Sequence, residues 1–246
     1  MADNNQLYNS VAPLRNVSAL ASLIDRVQNR SFGLDGLAVF YGPSGFGKTT
    51  AATWAANNFD AVHIEIQSVW TRKNVCEEIL TELGIPPEKT ISYMVKEICK
   101  ELVATDRILM LDEADFLVKK GMIELVRDIY KGSGAAIILI GEENLPTGLQ
   151  KWERVDGRIL ERVGALPACI DDVRHLAKMH CPGLSLNDDF SETILQASNH
   201  SLRRVVVNLN NVKEFALRKS ITEITSKIWG SRKFSACSAP VRRAFA

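Results

Sequence analysis

Leu37-Ala38-Val39-Phe40-Tyr41-Gly42-Pro43-Ser44-Gly45-Phe46-Gly47-Lys48-Thr49-Thr50 runs from an unbroken apolar segment into a glycine-rich turn and then into a lysine-threonine pair. The apolar segment reads as a strand buried on both faces of a parallel sheet. Residues 42–49 match the spacing G-x-x-x-x-G-K-[ST] at every fixed position, between a strand and a helix. Glycines at these positions let backbone N–H groups turn inward around phosphate oxygens, and the helix that follows adds the positive end of its dipole. Lys48 is spaced to reach terminal phosphates and the Thr49 hydroxyl to ligate Mg²⁺. Gly42, Pro43, Ser44, Gly45, Phe46, Gly47, Lys48, Thr49 and Thr50 are therefore the expected phosphate contacts, and ATP with Mg²⁺ the expected ligands. A chance glycine turn is the alternative, and the strand-loop-helix order counts against it.

Outward from this stretch, further short apolar runs predict strands at 61–66, 108–111, 135–140 and 165–170. Helical spacing of apolar residues occupies 17–29, 49–57, 74–83, 91–103 and 121–130. Strands alternating with helices predict an α/β fold with a doubly wound, parallel, five-stranded sheet. Past 170 only helical patterns remain, at 173–180, 190–197 and 202–217, the expectation being a small C-terminal helical lid. The expected division is a core at 1–170 that includes the N-terminal helix, a lid at 171–228, and a flexible basic tail at 229–246 carrying Arg232, Lys233, Arg242 and Arg243 without an acid.

Composition narrows the function classes. The 246 residues are 46% apolar, enough for one large domain with a smaller appendage. Lys plus Arg number 30 against 29 acids, so nucleic-acid binding has to come from local basic patches. Five separated cysteines without a CxxC pair argue against a disulfide framework or zinc ribbon, and for reduced thiols in a cytoplasmic protein. His175, His180 and Cys181 lack the second close-spaced pair that a metal site needs. The apolar run at 137–140 is far short of the ~20 residues of a membrane helix, so no membrane partner is expected.

Ile108-Leu109-Met110-Leu111-Asp112-Glu113-Ala114-Asp115 is an apolar strand that delivers acids at its C-terminal end, where open α/β sheets bind ligands. Asp112 is the expected partner of Mg²⁺ (metal: Thr49, Asp112). Glu113 is placed to orient and polarise an attacking water, the alternative being a mere cap on the next helix.

The P-loop, the LDEAD box, a fourth strand ending ILIGEENL, the stretch GRILERVG and the lid sequence LRRVV together resemble the AAA+ ATPases. Within them the likeness is to the target-selection ATPases of DNA transposition, of the MuB, TnsC and IstB type, and it covers roughly 17–217. The resemblance implies a first sensor at Glu142 or Asn144, with Asn144 the better phosphate contact. It implies an arginine finger at Arg162, with Arg158 as runner-up, offered in trans to a neighbouring subunit, and a second sensor at Arg203. A finger in trans makes the active unit a homo-oligomer, a ring or helical filament.

Arg72 and Lys73 are expected in a loop after the second strand that, by the resemblance, faces a central channel. Lys119 and Lys120, with Lys131, form a second basic cluster at the ends of the next helix. Both suit contact with the phosphate backbone of double-stranded DNA without base reading, and each has the plain alternative of a solvated charge. The expected function is an ATP-dependent, sequence-nonspecific DNA-binding ATPase that assembles on target DNA, recruits or stimulates a transposase, and leaves on hydrolysis. A helicase-loader or initiator-like switch, and an ATP-gated protein switch that ignores DNA, are the other readings; the Asp-Glu pair counts against a small-molecule kinase.

Overall fold

The computed structural model describes Val11 and residues 13–235. These fall into two compact units, one of Asn16–Pro43 and Lys48–Ala165, the other of Pro13–Arg15, Ser44–Gly47 and residues from 166 on. The boundary crosses the P-loop, so the tip of that loop, Ser44–Gly47, belongs with the C-terminal residues.

The first unit holds a five-stranded sheet made of β1 (Leu37–Tyr41), β2 (Val62–Glu65), β3 (Leu109–Asp112), β4 (Ile137–Gly141) and β5 (Ile159–Gly164). The strand order is β2-β3-β4-β1-β5 and every pairing is parallel. Its helices are α1 (Arg15–Gln28), α2 (Lys48–Phe59), α3 (Arg72–Glu82), α4 (Ile91–Thr105), α5 (Asp115–Lys119), α6 (Ile123–Ser133), α7 (Leu145–Leu149) and α8 (Glu153–Asp156).

The central strands are apolar on both faces because helices cover both. Val39, Ile64, Leu109, Leu111, Ile137 and Leu139 join one core with Ile79, Ile98, Leu102, Val126 and Ile129 of α3, α4 and α6. Successive residues of a strand alternate in direction, so Ala38, Phe40, Met110 and Asp112 take the other face, the one on which α2 meets β2 and β3. Each fully buried Leu, Ile or Phe stabilises this sheet by about 1.5–3 kcal/mol. That rigidity holds the C-terminal ends of β1, β3 and β4 side by side.

The fifth strand requires a correction: it lies at Ile159–Gly164, not at 165–170. Ala165 N–H donates to Tyr41 O at 2.7 Å, and Pro167, two residues on, has no N–H to continue the ladder. β5 is an edge strand, partly exposed along its length, and its Glu161 and Arg162 hide the apolar pattern that marks the central strands.

The second unit contains α9 (Ile170–His180), α10 (Asp188–Ala197), α11 (Leu202–Lys219) and the short α12 (Ser226–Trp229). A two-residue parallel pair, β6 (Ser185–Leu186) with β7 (Glu223–Ile224), lies where only helices were expected. The three long helices bury Val173, Leu176, Phe190, Ile194, Val205, Leu209 and Val212. The expected tail divides. Residues 229–235 pack on this unit: the Trp229 ring stacks on Phe234 at 5.1 Å and meets Phe215 edge-on at 5.4 Å, while Arg232 lies 4.2 Å over Phe215. Buried Asn208 accepts from Ser235 N–H at 2.8 Å. A flexible tail starting at 229 is thus corrected for those residues; 236–246, including Arg242 and Arg243, lie outside the described residues.

Candidate active site

β1 delivers the P-loop. Gly42 N–H donates to Gly141 O at 3.2 Å, and a Cβ at Gly42 would come within 2.9 Å of the Ala165 Cβ, so the loop leaves the sheet where only glycine fits. Gly45 and Gly47 take φ of +84° and +82°, a region other residues enter at a cost of about 1 kcal/mol. In the C-terminal unit the loop tip is held by the start of α11. Gly45 O accepts from Arg203 N–H at 3.0 Å and from the Ser201 hydroxyl at 3.3 Å, and the Arg203 guanidinium reaches the Ser44 hydroxyl at 3.4 Å. A Cβ at Gly45 would sit 2.5 Å from Ser201 Oγ, and one at Gly47 2.8 Å from Leu202 Cδ1.

Lys48 opens α2, and its ammonium donates to the carbonyls of Gly42 (2.7 Å) and Pro43 (3.0 Å). Burial pushes its pKa down, while the carboxylates of Asp112, Glu113, Glu142 and Asp115 pull it back up. Folding the lysine onto its own loop holds its charge beside the phosphate cradle. Thr49 and Thr50 follow on the first turn of α2, exposed.

At the end of β3, Asp112 is 1% exposed. Its Oδ1 accepts the Glu113 N–H at 2.9 Å, whereas Oδ2 is buried without a hydrogen-bond partner. A buried carboxylate oxygen left unpaired costs about 1–3 kcal/mol or more when charged. The donor set, a carboxylate at the strand end with the Thr49 hydroxyl on α2, fits an oxygen-loving divalent cation such as Mg²⁺. Glu113 adopts φ +54°, an uncommon conformation for a residue with a side chain, of the kind that collects at functional sites. Burial and the neighbouring Asp112 raise its pKa, and Lys48 offsets part of the rise.

Two residues in this region went unassigned in the sequence reading. Asp115, 6% exposed, accepts the Glu142 N–H at 2.7 Å and so ties the turn after β3 to the end of β4. A Cβ at Gly141 would lie 2.2 Å from that same carboxylate oxygen. The LDEAD string contains Asp115, but nothing in it marks the contact with the backbone of residue 142. His63 on β2 lies with its Nε2 3.8 Å from Asp112 Oδ2. Its signal was a polar residue in an apolar strand.

The remaining candidates are placed as follows. Glu142 and Asn144, both exposed, follow β4, and Asn144 is the residue before α7 with no capping bond from its side chain. Arg162 projects from edge strand β5 and is paired with Asp156 at 2.6 Å; the Arg158 guanidinium bonds to the Arg154 carbonyl. Arg72 and Lys73 are not in a loop, which corrects the expectation: they form the first turn of α3. Thr71 and Asn74 make a capping box that satisfies the first N–H groups and starts the helix two residues earlier than the apolar spacing at 74–83 indicates. Arg72 donates to Gly121 O at 2.8 Å and Lys120 to Trp70 O at 3.0 Å, so the segments at 70–73 and 119–121 are cross-linked into one surface. Lys73 pairs with Glu77 at 3.4 Å and the Lys119 ammonium stands 5.5 Å from the centre of the Phe116 ring. Lys131 lies apart from Lys119 and Lys120, in the last turn of α6.

Residues 32–149 match the family model described as an AAA domain. Comparison with curated proteins returns no match. Among solved structures, the ORC1 protein of Aeropyrum pernix, determined in complex with DNA, is 18% identical with a TM-score of 0.61 over 87% of this chain and 62% of its own. The RuvB Holliday junction branch migration motor of Thermotoga maritima is 16% identical with a TM-score of 0.60, over 87% and 67%. Domain III of the Thermotoga maritima replication initiation protein DnaA is 15% identical with a TM-score of 0.58, over 90% and 92%. At these identities the likeness is one of fold. This chain spans under two thirds of the ORC1 chain's length. Among the described residues no helix is long and apolar enough to cross a membrane. Residues 32–149, which match that AAA domain model, hold the P-loop, Asp112 and Glu113.

Proposed function

We propose that the chain couples ATP hydrolysis to sequence-nonspecific assembly on double-stranded DNA, where the ATP-bound oligomer recruits or stimulates a transposase and hydrolysis releases it. The observation that carries the DNA step is the cross-linked basic surface, in which Arg72, Lys73, Lys119 and Lys120 come from two segments pinned to each other. Cations fixed on helix ends suit phosphates, and nothing in that surface offers a base-reading element. The fold likeness to proteins named for DNA complexes, branch migration and replication initiation supports DNA as the ligand.

In the proposed reaction the P-loop amides and Lys48 would hold the phosphates and Thr49 and Asp112 would hold Mg²⁺, which when bound would supply positive charge to offset that of the phosphates. Glu113 orients the attacking water, and its raised pKa, caused by burial, makes it a better acceptor for the water's proton. Asn144 is proposed to read the γ-phosphate and Arg203, held at Ser44, to act as the second sensor. Arg162 is proposed to leave Asp156 and reach a neighbour's nucleotide, which makes hydrolysis depend on oligomerisation.

The test is binding of a random-sequence duplex by the full chain with ATP, with ADP and with no nucleotide, over a range of salt. ATP-dependent binding that weakens steeply with salt supports the reading. Binding indifferent to ATP, or absent at low salt, refutes it. The likeness to initiator proteins favours a second reading, a helicase-loading switch on DNA, and capture of a replicative helicase without stimulation of a transposase would select it.

A further inference from the structure

We propose that His63 is the positioning residue for Asp112, setting the plane of the carboxylate that holds the nucleotide's divalent cation. This rests on the assignment of Asp112 to Mg²⁺ above. β2 and β3 are parallel neighbours with His63 opposite Met110 and Glu65 opposite Asp112. A residue two further along a strand returns to the same face, so His63 and Asp112 are diagonal neighbours on the face covered by α2. Val62 and Ile64 point the other way, into the core with α3 and α4.

His63 Nε2 and Asp112 Oδ2 are 3.8 Å apart, the side chains are 14% and 1% exposed, and both atoms are buried with no other hydrogen-bond partner. At 3.8 Å this is a contact short of a hydrogen bond. Neither atom has another hydrogen-bond partner, so closing the gap forfeits no existing bond. With the proton on Nε2, the imidazole donates to one lone pair of Oδ2 while the Glu113 N–H holds Oδ1. The carboxylate is then gripped at both oxygens, and the second lone pair of Oδ2 is left for the cation or its water. Such outer partners of a ligating group characteristically change metal affinity 10–100-fold when removed. His63 touches neither phosphate nor water in this scheme and acts through Asp112 alone.

The experiment is a Mg²⁺ titration of fluorescent-nucleotide binding by the full chain, starting in EDTA, for wild type, His63→Phe, His63→Gln and Asp112→Asn. The expected result is that His63→Phe binds nucleotide in EDTA within about twofold of wild type but needs roughly 10–100-fold more Mg²⁺ for the metal-dependent tightening. His63→Gln, which keeps a donor, recovers most of the loss. A folded His63→Phe whose Mg²⁺ midpoint stays within twofold of wild type overturns the proposal, as does a folded His63→Gln that fails like His63→Phe. The ¹⁵N shifts of the wild-type ring give a test that needs no variant: a ring carrying a proton on Nε2 supports the proposal, and a ring protonated on Nδ1 alone overturns it. If Asp112→Asn titrates like wild type, the failure is of the Asp112 assignment and is recognised as such.

Discussion

In the proposed reaction Lys48 serves binding and Glu113 serves chemistry, and substitutions at the two separate these roles. Lys48→Ala removes the ammonium that the loop carbonyls of Gly42 and Pro43 hold beside the cradle, so nucleotide binding is expected to weaken by at least tenfold in a fluorescence titration. Glu113→Gln keeps the shape and loses the proton acceptor; kcat is expected to fall by about 10²–10⁴ with ATP affinity little changed. An unchanged kcat for Glu113→Gln would remove Glu113 from the chemistry. Gly45 tests the loop's geometry. Gly45→Ala combines a positive φ with a Cβ 2.5 Å from Ser201 Oγ, and a melt should show a loss of about 1–3 kcal/mol. Removing the hydroxyl in Gly45→Ala/Ser201→Ala should recover part of it, since the clash goes and the φ strain stays. Gly42 to Thr49 and the Asp112-Glu113 pair stand out in the sequence because the fixed positions of the phosphate-loop spacing, and acids at the end of an apolar strand, follow from how a nucleotide and its cation would be held. Asp115 and His63 were not legible because their partners, a backbone N–H at 142 and a carboxylate on the adjacent strand, are close only after the sheet has formed.

At the scale of elements, β1, β3 and β4 were legible because strands covered by helices on both faces are apolar runs, and β2, at one edge, because Val62 and Ile64 alternate with His63 and Glu65. β5 was not, since an edge strand tolerates Glu161 and Arg162 and leaves no such run. The start of α3 carries no apolar signal because its first turn is polar, Arg72-Lys73-Asn74, and is organised by the Thr71 capping box. That shift affects the proposed DNA surface: side chains on a capped helix turn, cross-bonded to the segment at 120–121, are held before any ligand arrives. Replacing Lys73 or Lys119 by Ala should therefore weaken duplex binding about equally for all sequences, and lower the slope of log K against log salt by about 1 each. Arg72→Ala and Lys120→Ala should do the same and also loosen the link between the two segments, visible as faster amide exchange at 70–73. Salt slopes unchanged in all four variants would place the DNA elsewhere.

At the scale of the whole molecule, one chain offers Arg162 on an edge strand, paired only within its own unit. An arginine acting in trans predicts complementation: Glu113→Gln and Arg162→Ala proteins, each inactive alone, should regain part of the ATPase rate when mixed, because some interfaces then hold an intact Glu113 facing an intact Arg162. No recovery in oligomers shown to contain both variants would move the finger to Arg158 or make hydrolysis a property of the single chain. The central claim is ATP-dependent assembly around duplex DNA, and electron microscopy of the full chain with ATP and a random duplex, beside Lys48→Ala, tests it most directly. The account predicts rings or filaments enclosing the duplex, with Arg72, Lys73, Lys119 and Lys120 against its phosphates, and none for Lys48→Ala. Single chains that ignore DNA under every nucleotide condition would contradict it.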